Sequence, residues 1–182
     1  MRSKILMAPF LALFVLISSS HPAQAQISAL CFGDGTGAAC PCGNTGGLGE
    51  GCANSTGLGS SLQWSGSSSV STGDLVLSAT NVPSINSMPG IGLFFQGVNT
   101  INGGNGTPFY EGLRCVGGSV IRLEVVVGDG VVDSSVKIPV VGLAEAGDRR
   151  YYQFWYRDPF APGCAFIHGA NLTSAARVDW EL

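Results

Sequence analysis

The chain has 182 residues, a formal net charge of −3 and six cysteines, and only 12% of its residues are charged. This length is sufficient for one domain with a buried core. Because no cluster of basic residues occurs, nucleic acid is not expected as a partner.

The first 25 residues have the pattern of an export signal. Arg2 and Lys4 form a short basic region, residues 5–17 are almost wholly apolar, and Ala23-Gln24-Ala25 has the small-x-small form of a cleavage site. The apolar run is too short to span a bilayer. We therefore predict cleavage after Ala25, no membrane span in the mature chain, and a secreted location, extracellular or at the cell surface.

Residues 26–60 form a glycine-rich segment that carries four of the six cysteines. No hydrophobic period is visible, and so flexible a segment needs cross-links to offset its folding entropy. An even number of cysteines in an exported chain favours disulfides over a metal site. Cys40 and Cys42 are too close to pair readily with each other. The alternatives are Cys31–Cys42 with Cys40–Cys52, which we favour, or Cys31–Cys40 with Cys42–Cys52.

The two remaining cysteines, Cys115 and Cys164, stand far apart in the later part of the chain. We expect them to pair with each other and to link two distant strands. All six cysteines are therefore predicted to be disulfide-bonded.

From about residue 61 onward the sequence has the pattern of β-strands. Apolar and polar residues alternate over 74–80, 119–127 and 177–182, while 91–96 is a short apolar run and 151–156 is densely aromatic. Turn residues recur at intervals of about ten residues, which is typical of a sandwich or barrel. We predict an all-β fold, with an antiparallel β-sandwich of jelly-roll or immunoglobulin-like type over residues 61–182.

The alternation also predicts which side chains are buried. The expected core positions on three of these strands are Leu75, Leu77, Ala79, Ile121, Leu123, Val125, Val127, Val178, Trp180 and Leu182. Arg122 and Glu124 fall on the opposite face of their strand, where a cross-strand ion pair is favoured over a catalytic role for Glu124.

A series of motifs resembles a family of exported, cysteine-containing domains of environmental bacteria whose members are uncharacterised. The motifs are CFGDGTGAACPCGN at 31–44, GCANS at 51–55, LFFQG at 93–97, GLRCVGG at 112–118, IRL at 121–123, YQFWYRDP at 152–159 and NLT at 171–173. They occur in order and cover nearly all of residues 31–182. The resemblance implies export, disulfides and a β-rich fold, and it supplies no catalytic residue and no ligand.

The residues that usually carry catalysis are sparse. His168 is the only histidine after the export signal, so a zinc centre or a serine–histidine triad has little support, and no Gly-x-Ser-x-Gly sequence occurs. Asp34 alone is far short of the oxygen ligands that calcium takes. Five acids are candidates for a glycosidase pair by residue type only: Glu111, Glu124, Asp129, Asp133 and Asp158. We predict no catalytic residue, no metal and no cofactor.

The aromatic strand offers the best functional candidate. Its alternation predicts that Phe154 is buried together with Tyr152 and Tyr156. The other parity then lies on the outer face: Tyr151, Gln153, Trp155 and Arg157. An outer row of Tyr, Trp and Arg is typical of interfaces. We therefore predict a contact surface formed by Tyr151, Trp155 and Arg157.

The sequence thus favours a non-catalytic extracellular structural or adhesive module that contacts another copy of itself, another extracellular protein or a polysaccharide. The first alternative is a carbohydrate-binding module, in which Trp64 and Tyr110 would join the aromatic platform. The second is a small hydrolase with an unrecognised site. Sequons at Asn54, Asn105 and Asn171 are potential glycosylation sites.

Overall fold

The computed structural model describes residues 27–159 and 169–182. The export signal predicted for residues 1–25, Cys164 and His168 lie outside these ranges. In the described part the strands are β1 (Ile27–Leu30), β2 (Ser61–Ser65), β3 (Val76–Val82), β4 (Gly90–Gly97), β5 (Asn99–Thr100), β6 (Thr107–Phe109), β7 (Gly112–Arg114), β8 (Val116–Gly117), β9 (Ile121–Gly128), β10 (Gly130–Asp133), β11 (Arg149–Arg157), β12 (Ala170–Leu172) and β13 (Ala175–Asp179). One short helix, α1, spans Ile138–Val141, and a 3-10 turn spans Asn102–Gly104. Over the same ranges, no helix combines the length and hydropathy that crossing a membrane requires.

The strands form antiparallel sheets, as predicted. The larger sheet has the order β1-β13-β11-β4-β9, with β12 also paired to β11, and the smaller sheet has the order β10-β3-β2. Two further pairs, β5 with β8 and β6 with β7, lie between β4 and β9 in the chain. The short strand β1, which the sequence pattern did not reveal, pairs with β13 and forms an edge of the larger sheet.

One hydrophobic cluster contains side chains from both sheets. Leu62, Leu77 and Ala79 belong to the smaller sheet, and the aromatic residues Phe94, Tyr152, Phe154 and Tyr156 belong to the larger one. The rings of Phe94 and Phe154 have their centroids 4.4 Å apart. A Cβ atom at Gly92 would lie 2.0 Å from Cζ of Phe154, so the ring occupies the space that only glycine leaves. The prediction that Phe154 is buried with its two tyrosine neighbours is confirmed.

The C-terminal strand follows the prediction only in part. Val178 and Trp180 are buried, and the Trp180 indole donates a hydrogen bond of 2.9 Å to the Tyr152 hydroxyl. Leu182, which was expected to pack, is 88% exposed because β13 ends at Asp179.

A β-bulge in β9 alters the outer face of the larger sheet. The pairing with β4 runs regularly up to Phe94 opposite Glu124, and the next pair is Phe95 opposite Arg122. Leu123 is therefore the extra residue on β9, and it is buried in the cluster between the sheets. An inserted residue of this kind reverses the parity of the strand beyond it.

Because of this reversal, two residues that were predicted to be in the core lie on the outer face. Val125 is 62% exposed and Val127 is 71% exposed, whereas Val126 packs against the main cluster. The prediction that Val125 and Val127 are buried was wrong, because it assumed that apolar and polar residues alternate without interruption along β9. The cross-strand ion pair expected for Glu124 is also absent from the described residues. The Glu124 carboxylate instead accepts two hydrogen bonds from Ser135, one of 2.8 Å from its backbone N–H and one from its hydroxyl.

A second hydrophobic cluster covers part of the outer face of the larger sheet. It contains Cys31, Cys40, Cys52, Phe95, Leu113, Cys115, Val116, Leu172 and Ala175. These side chains come from the loop before β2, from β4, from the segment that contains β7 and β8, and from β12 and β13. Loop segments and two short two-stranded sheets, rather than a further large sheet, therefore close this side of the molecule.

Disulfides hold this second cluster together. Cys31 pairs with Cys115 and Cys40 pairs with Cys52. The Cys40–Cys52 bond belongs to the favoured alternative, but the predicted Cys31–Cys42 and Cys115–Cys164 bonds were wrong. Cys31 directly follows the edge strand β1 and meets the segment folded over the same face, a long-range contact that cysteine spacing does not encode. Cys42 is also disulfide-bonded.

Candidate functional site

The predicted contact row on β11 is interrupted at its centre. Gln153 is fully buried because residues 113–115 lie over it. Its Oε1 accepts a hydrogen bond of 3.0 Å from the Cys115 N–H, and its Nε2 donates to the carbonyl oxygens of Leu113 (2.8 Å) and Thr173 (2.7 Å). A buried amide satisfied in this way fixes the covering segment on the strand.

The three predicted contact residues consequently do not share one surface. Tyr151 and Trp155 are half-buried on opposite sides of Gln153, and Arg157 is exposed at the end of β11. Tyr151 lines one groove and Trp155 lines another. The structure therefore divides the predicted row into two separate candidate sites.

The Tyr151 groove lies beside the Cys31–Cys115 bond and has a volume of about 480 Å³. Its lining includes Leu30, Phe32, Thr36, Asn105, Tyr151 and Arg177. The Arg177 guanidinium lies 3.6 Å from the Asp179 carboxylate, so its charge is partly neutralised.

The Trp155 groove has a volume of about 400 Å³ and an apolar floor. Four cross-strand neighbours form this floor, because Trp155 lies opposite Leu172 of β12 and Leu93 of β4, and Leu93 lies opposite Val125 of β9. Exposure rises along the row, from 1% at Leu172 to 62% at Val125. The row thus opens towards β9, which among the described strands pairs only with β4 in this sheet.

The β6–β7 hairpin forms one wall of the Trp155 groove. Tyr110, at the turn of the hairpin, has its ring centroid 4.5 Å from that of Phe109 and 6.4 Å from that of Trp155. Its φ of +55° lies in the left-handed region, which a residue with a side chain adopts at a cost of about 1 kcal/mol. The turn therefore holds a strained aromatic residue against the floor of the groove.

Two arginines give the groove a positive rim. The guanidinium carbon of Arg114 lies 5.5 Å from the Phe109 ring centroid, and its Nε donates a hydrogen bond of 3.2 Å to the Val116 carbonyl oxygen. Arg122 also lines the groove and is exposed. Within the described residues neither arginine forms an ion pair. An apolar floor beside uncompensated guanidinium groups suits an apolar ligand that carries an anionic group.

Two of the acids considered for a glycosidase pair lie together, but they are buried. Glu111 is 2% exposed and Asp158 is fully buried. The backbone N–H of Glu111 donates a hydrogen bond of 3.1 Å to the carbonyl oxygen of Ala170. The backbone N–H of Asp158 donates one of 2.7 Å to the carbonyl oxygen of Gly169, the residue before Ala170. Burial, and then the negative charge of Asp158, raises the pKa of Glu111 to about 7.

Glu111 and Asp158 lie where segments of the chain are joined to one another, and not in a cleft that a substrate could enter. The Asp158 carboxylate accepts a hydrogen bond of 2.8 Å from the Ser55 N–H and so connects β11 with the loop before β2. Neither acid lines the Tyr151 groove or the Trp155 groove. A glycosidase pair has to flank its substrate. This position therefore favours a buried junction over a hydrolytic centre.

Other candidate residues also have structural roles. Asp34 accepts hydrogen bonds of 3.0 Å from the N–H groups of Thr36 and Gly49, and its pKa is lowered by the bond from Gly49 and then by that from the Thr36 hydroxyl. The acid thus closes the glycine-rich loop. Asp129 directly precedes β10, Asp133 is the last residue of that strand, and both are exposed. No group of three His, Cys, Asp or Glu residues that could hold a metal ion occurs in the described ranges.

The remaining side chains singled out in the sequence lie apart from the groove. Trp64 packs against the cluster between the sheets, so it cannot extend the aromatic floor around Trp155. Asn54 and Asn171 are buried. The Asn54 side-chain amide donates a hydrogen bond of 2.8 Å to the Asn81 carbonyl oxygen, and the Asn171 side-chain amide donates one of 3.2 Å to the Cys52 carbonyl oxygen. Of the three sequon asparagines, Asn105 is the exposed one.

No family model, curated protein or solved structure matches the chain. The functional proposal therefore rests on the geometry of the Trp155 groove. Its floor and wall include Tyr110, which was expected to make contacts only in the carbohydrate-binding alternative. They also include residues that were not predicted as contacts, namely Leu93, Phe109, Arg114, Arg122 and Val125.

Proposed function

We propose that this chain is a non-catalytic extracellular module, structural or adhesive, that binds another protein or a polymer through the Trp155 groove. The observation that carries the proposal is the apolar row from Leu172 to Val125, which is open at its β9 end. It lies beside two arginines that form no ion pair with any described residue. Exposed apolar surface with Trp, Tyr and Arg around it is the composition of binding sites.

The proposal includes the architecture and location. Residues 1–25 are a cleaved export signal, residues 26–60 a glycine- and cysteine-rich segment, and residues 61–182 a β-sandwich. The hydrophobic cluster shared by the two sheets supports the sandwich. Disulfide bonds are compatible with an oxidising, extracellular compartment. The ordered motifs that resemble exported bacterial domains support the same location.

A protein or an apolar polymer is favoured over a sugar by the shape of the groove. The ring planes of Tyr110 and Trp155 meet at 60°, so they do not form the flat platform that stacks on a sugar face. Carbohydrate binding is therefore the alternative, and hydrolysis is disfavoured by the burial of Glu111 and Asp158.

Binding of anilinonaphthalene sulfonate, an aromatic probe with one negative charge, tests the groove directly. We expect the folded wild-type protein to enhance its fluorescence and Val125→Glu to reduce this enhancement about tenfold or more at equal concentration, because an acid would then interrupt the floor. Val131→Glu is the matched control, since Val131 is 64% exposed but lies on β10, outside the groove. Equal loss in both variants would contradict the site.

A glycan array and substrate screens separate the alternatives. Array binding that is lost in Val125→Glu and kept in Val131→Glu would replace the structural or adhesive function with carbohydrate recognition. Turnover of a glycosidic or ester substrate by the purified protein would overturn the non-catalytic assignment.

A further inference from the structure

The turn of the β6–β7 hairpin joins the Trp155 groove to the buried acid pair. Tyr110 and Glu111 are the two residues between the strands of this hairpin. The Tyr110 ring forms a wall of the groove, whereas Glu111 is 2% exposed and lies near Asp158. Two adjacent residues thus connect the shape of the candidate site with the charge of a buried carboxyl group.

Glu111 and Gly112 seat this turn on the rest of the molecule. The Glu111 N–H donates a hydrogen bond of 3.1 Å to the Ala170 carbonyl oxygen, and the Asn44 side-chain amide donates one of 2.9 Å to the Glu111 carbonyl oxygen. Gly112 packs so closely that a Cβ atom there would lie 2.3 Å from Oδ1 of Asn171. The position of the groove wall therefore depends on how Glu111 is seated.

The other end of the hairpin is fastened independently of the acid pair. The Gln153 side chain donates a hydrogen bond of 2.8 Å to the Leu113 carbonyl oxygen and accepts one of 3.0 Å from the Cys115 N–H. Cys115 is also bonded to Cys31. These contacts do not involve either acid, so this segment is a hinge about which the turn can lift while the sheet stays folded.

The acid pair lacks hydrogen-bond donors and a counter-charge. Oε2 of Glu111 and Oδ1 of Asp158 are buried and accept no hydrogen bond from any described residue. The ion pairs among the described residues include neither acid. A proton on Glu111 supplies a donor and removes one of the two negative charges. Without that proton two carboxylates are buried together, and no cation of the described residues offsets them, which is costly.

Among the described residues, the titratable groups that face Glu111 come from β11 and the residue after it. They are the Tyr156 hydroxyl and the Asp158 carboxylate. Burial raises the pKa of Tyr156, so this hydroxyl keeps its proton at neutral pH. The loop before β2 and the segment that contains β12 contribute neutral side chains and backbone groups. Within this cluster, Glu111 is therefore the group whose charge changes near neutral pH.

We propose that the acid pair is a pH-sensitive catch for the Trp155 groove. When Glu111 is protonated, the turn is seated and the groove has its Tyr110 wall. When Glu111 loses its proton, repulsion by Asp158 favours lifting of the turn, which carries the carboxylate into water and removes the wall. This inference rests on the proposed function, because it names the regulation of the same groove.

The direction of the effect follows from the two positions of the turn. The lifted turn exposes Glu111, whose usual pKa is 4.5, whereas burial in the seated turn and then the charge of Asp158 raise this pKa to about 7. Between these values the seated turn binds more protons than the lifted turn. The ratio of seated to lifted turn therefore falls as the pH rises from 4.5 to about 7, by a factor on the order of a hundred.

Hydrogen exchange of backbone amides measures the lifting directly. Lifting breaks the bond from the Glu111 N–H to Ala170, so exchange at this amide, corrected for its intrinsic pH dependence, should accelerate about tenfold or more between about pH 5 and pH 8. Low concentrations of urea should not change this rate, because lifting exposes little surface, whereas they should accelerate the amides between β4 and β11. A Glu111 amide that exchanges only together with those core amides would overturn the catch.

Probe binding measures the consequence for the groove. Binding of anilinonaphthalene sulfonate to the groove is the part that Val125→Glu removes, and neither the sulfonate nor the arginines change charge in this range. We expect this part to weaken about tenfold or more between about pH 5 and pH 8 in wild type. It should stay level in Glu111→Gln, which mimics the protonated acid. Glu145→Gln, which removes an exposed acid, is the matched control and should follow wild type. Equal pH profiles in Glu111→Gln and wild type would overturn the catch.

Two further variants assign the titration to the acid pair. Asp158→Asn removes the repelling charge and keeps an oxygen for the Ser55 N–H, so the midpoint of the profile should move to lower pH. His168 lies outside the described ranges and also titrates near neutral pH, so His168→Gln should keep the wild-type profile. A midpoint that Asp158→Asn leaves in place, or a flat profile in His168→Gln, would overturn the catch. Val125-dependent binding that is independent of pH would remove the catch and leave the proposed function, and the absence of such binding at every pH would remove both.

Discussion

The two faces of the larger sheet are closed in different ways. The inner face packs against the smaller sheet through aromatic and aliphatic side chains that alternate along their strands. The outer face is covered by glycine-rich loop and short strands, which the Cys31–Cys115 and Cys40–Cys52 bonds fasten down. Where this cover ends, the Trp155 groove begins. Function is therefore expected on the face whose closure depends on cross-links rather than on periodic packing.

Removing the longer cross-link should have the largest effect. Cys31 and Cys115 are 84 residues apart, and Cys40 and Cys52 are 12 apart. In the chain-entropy model the first bond stabilises by about 4.5 kcal/mol and the second by about 3 kcal/mol. We expect Cys31→Ser with Cys115→Ser to lower the free energy of unfolding more than Cys40→Ser with Cys52→Ser, as measured by urea denaturation. Equal losses would show that loop closure does not determine the stability of the outer face.

Substitution of two neighbouring residues of β11 compares the faces directly. Phe154 is 1% exposed between the sheets, and Trp155 is half-buried on the outer side. Phe154→Ala should lower the free energy of unfolding by about 3–5 kcal/mol, because it leaves a cavity in a close-packed core. Trp155→Ala should cost about 1–2 kcal/mol, because part of its ring already contacts water. A larger loss for Trp155→Ala would mean that the outer cluster is the main core.

The inner face could be predicted from the sequence because period two corresponds to a physical alternation. Leu75, Leu77 and Ala79 are buried as expected, and so is Phe154 with its tyrosine neighbours. The pattern failed at Leu123, since the apolar run continues through Val125, Val126 and Val127 and contains no sign of the bulge. One additional residue turned two expected core valines outward.

For the outer face, the sequence predicted which kinds of residue would matter, but not how they are arranged. Disulfides were expected, but loop closure between Cys31 and Cys115 depends on the tertiary path of the chain. The Trp155 groove depends on the turn at Tyr110, whose left-handed backbone the sequence does not signal because glycine or asparagine usually occupies such positions. Trp155 was identified correctly as lying on the outer side, but the burial of Gln153 divided the expected row.

The buried acid pair predicts how the stability depends on pH. The usual pKa of Glu111 is near 4.5, and the folded protein raises it to about 7. Between these values the folded state binds more protons than the unfolded state, so stability falls as pH rises from 4.5 to about 7. The expected loss is on the order of 2 kcal/mol, measured by urea denaturation at several pH values. Glu111→Gln should remove this component of the pH dependence, and an unchanged profile would contradict it.

The smallest effect on stability is expected at Tyr110, a residue of the Trp155 groove whose backbone is strained. Tyr110→Gly relieves the φ of +55° but removes the ring that contacts Phe109 and Trp155. These contributions oppose each other, so the free energy of unfolding should change by less than about 1 kcal/mol. Tyr110→Ala loses the ring and keeps the strain, so it should be less stable than Tyr110→Gly by about 1 kcal/mol. Both variants should weaken probe binding equally, because the groove loses the same wall. If Tyr110→Ala were instead as stable as Tyr110→Gly, the left-handed backbone would not be strained and its link to the groove would fail.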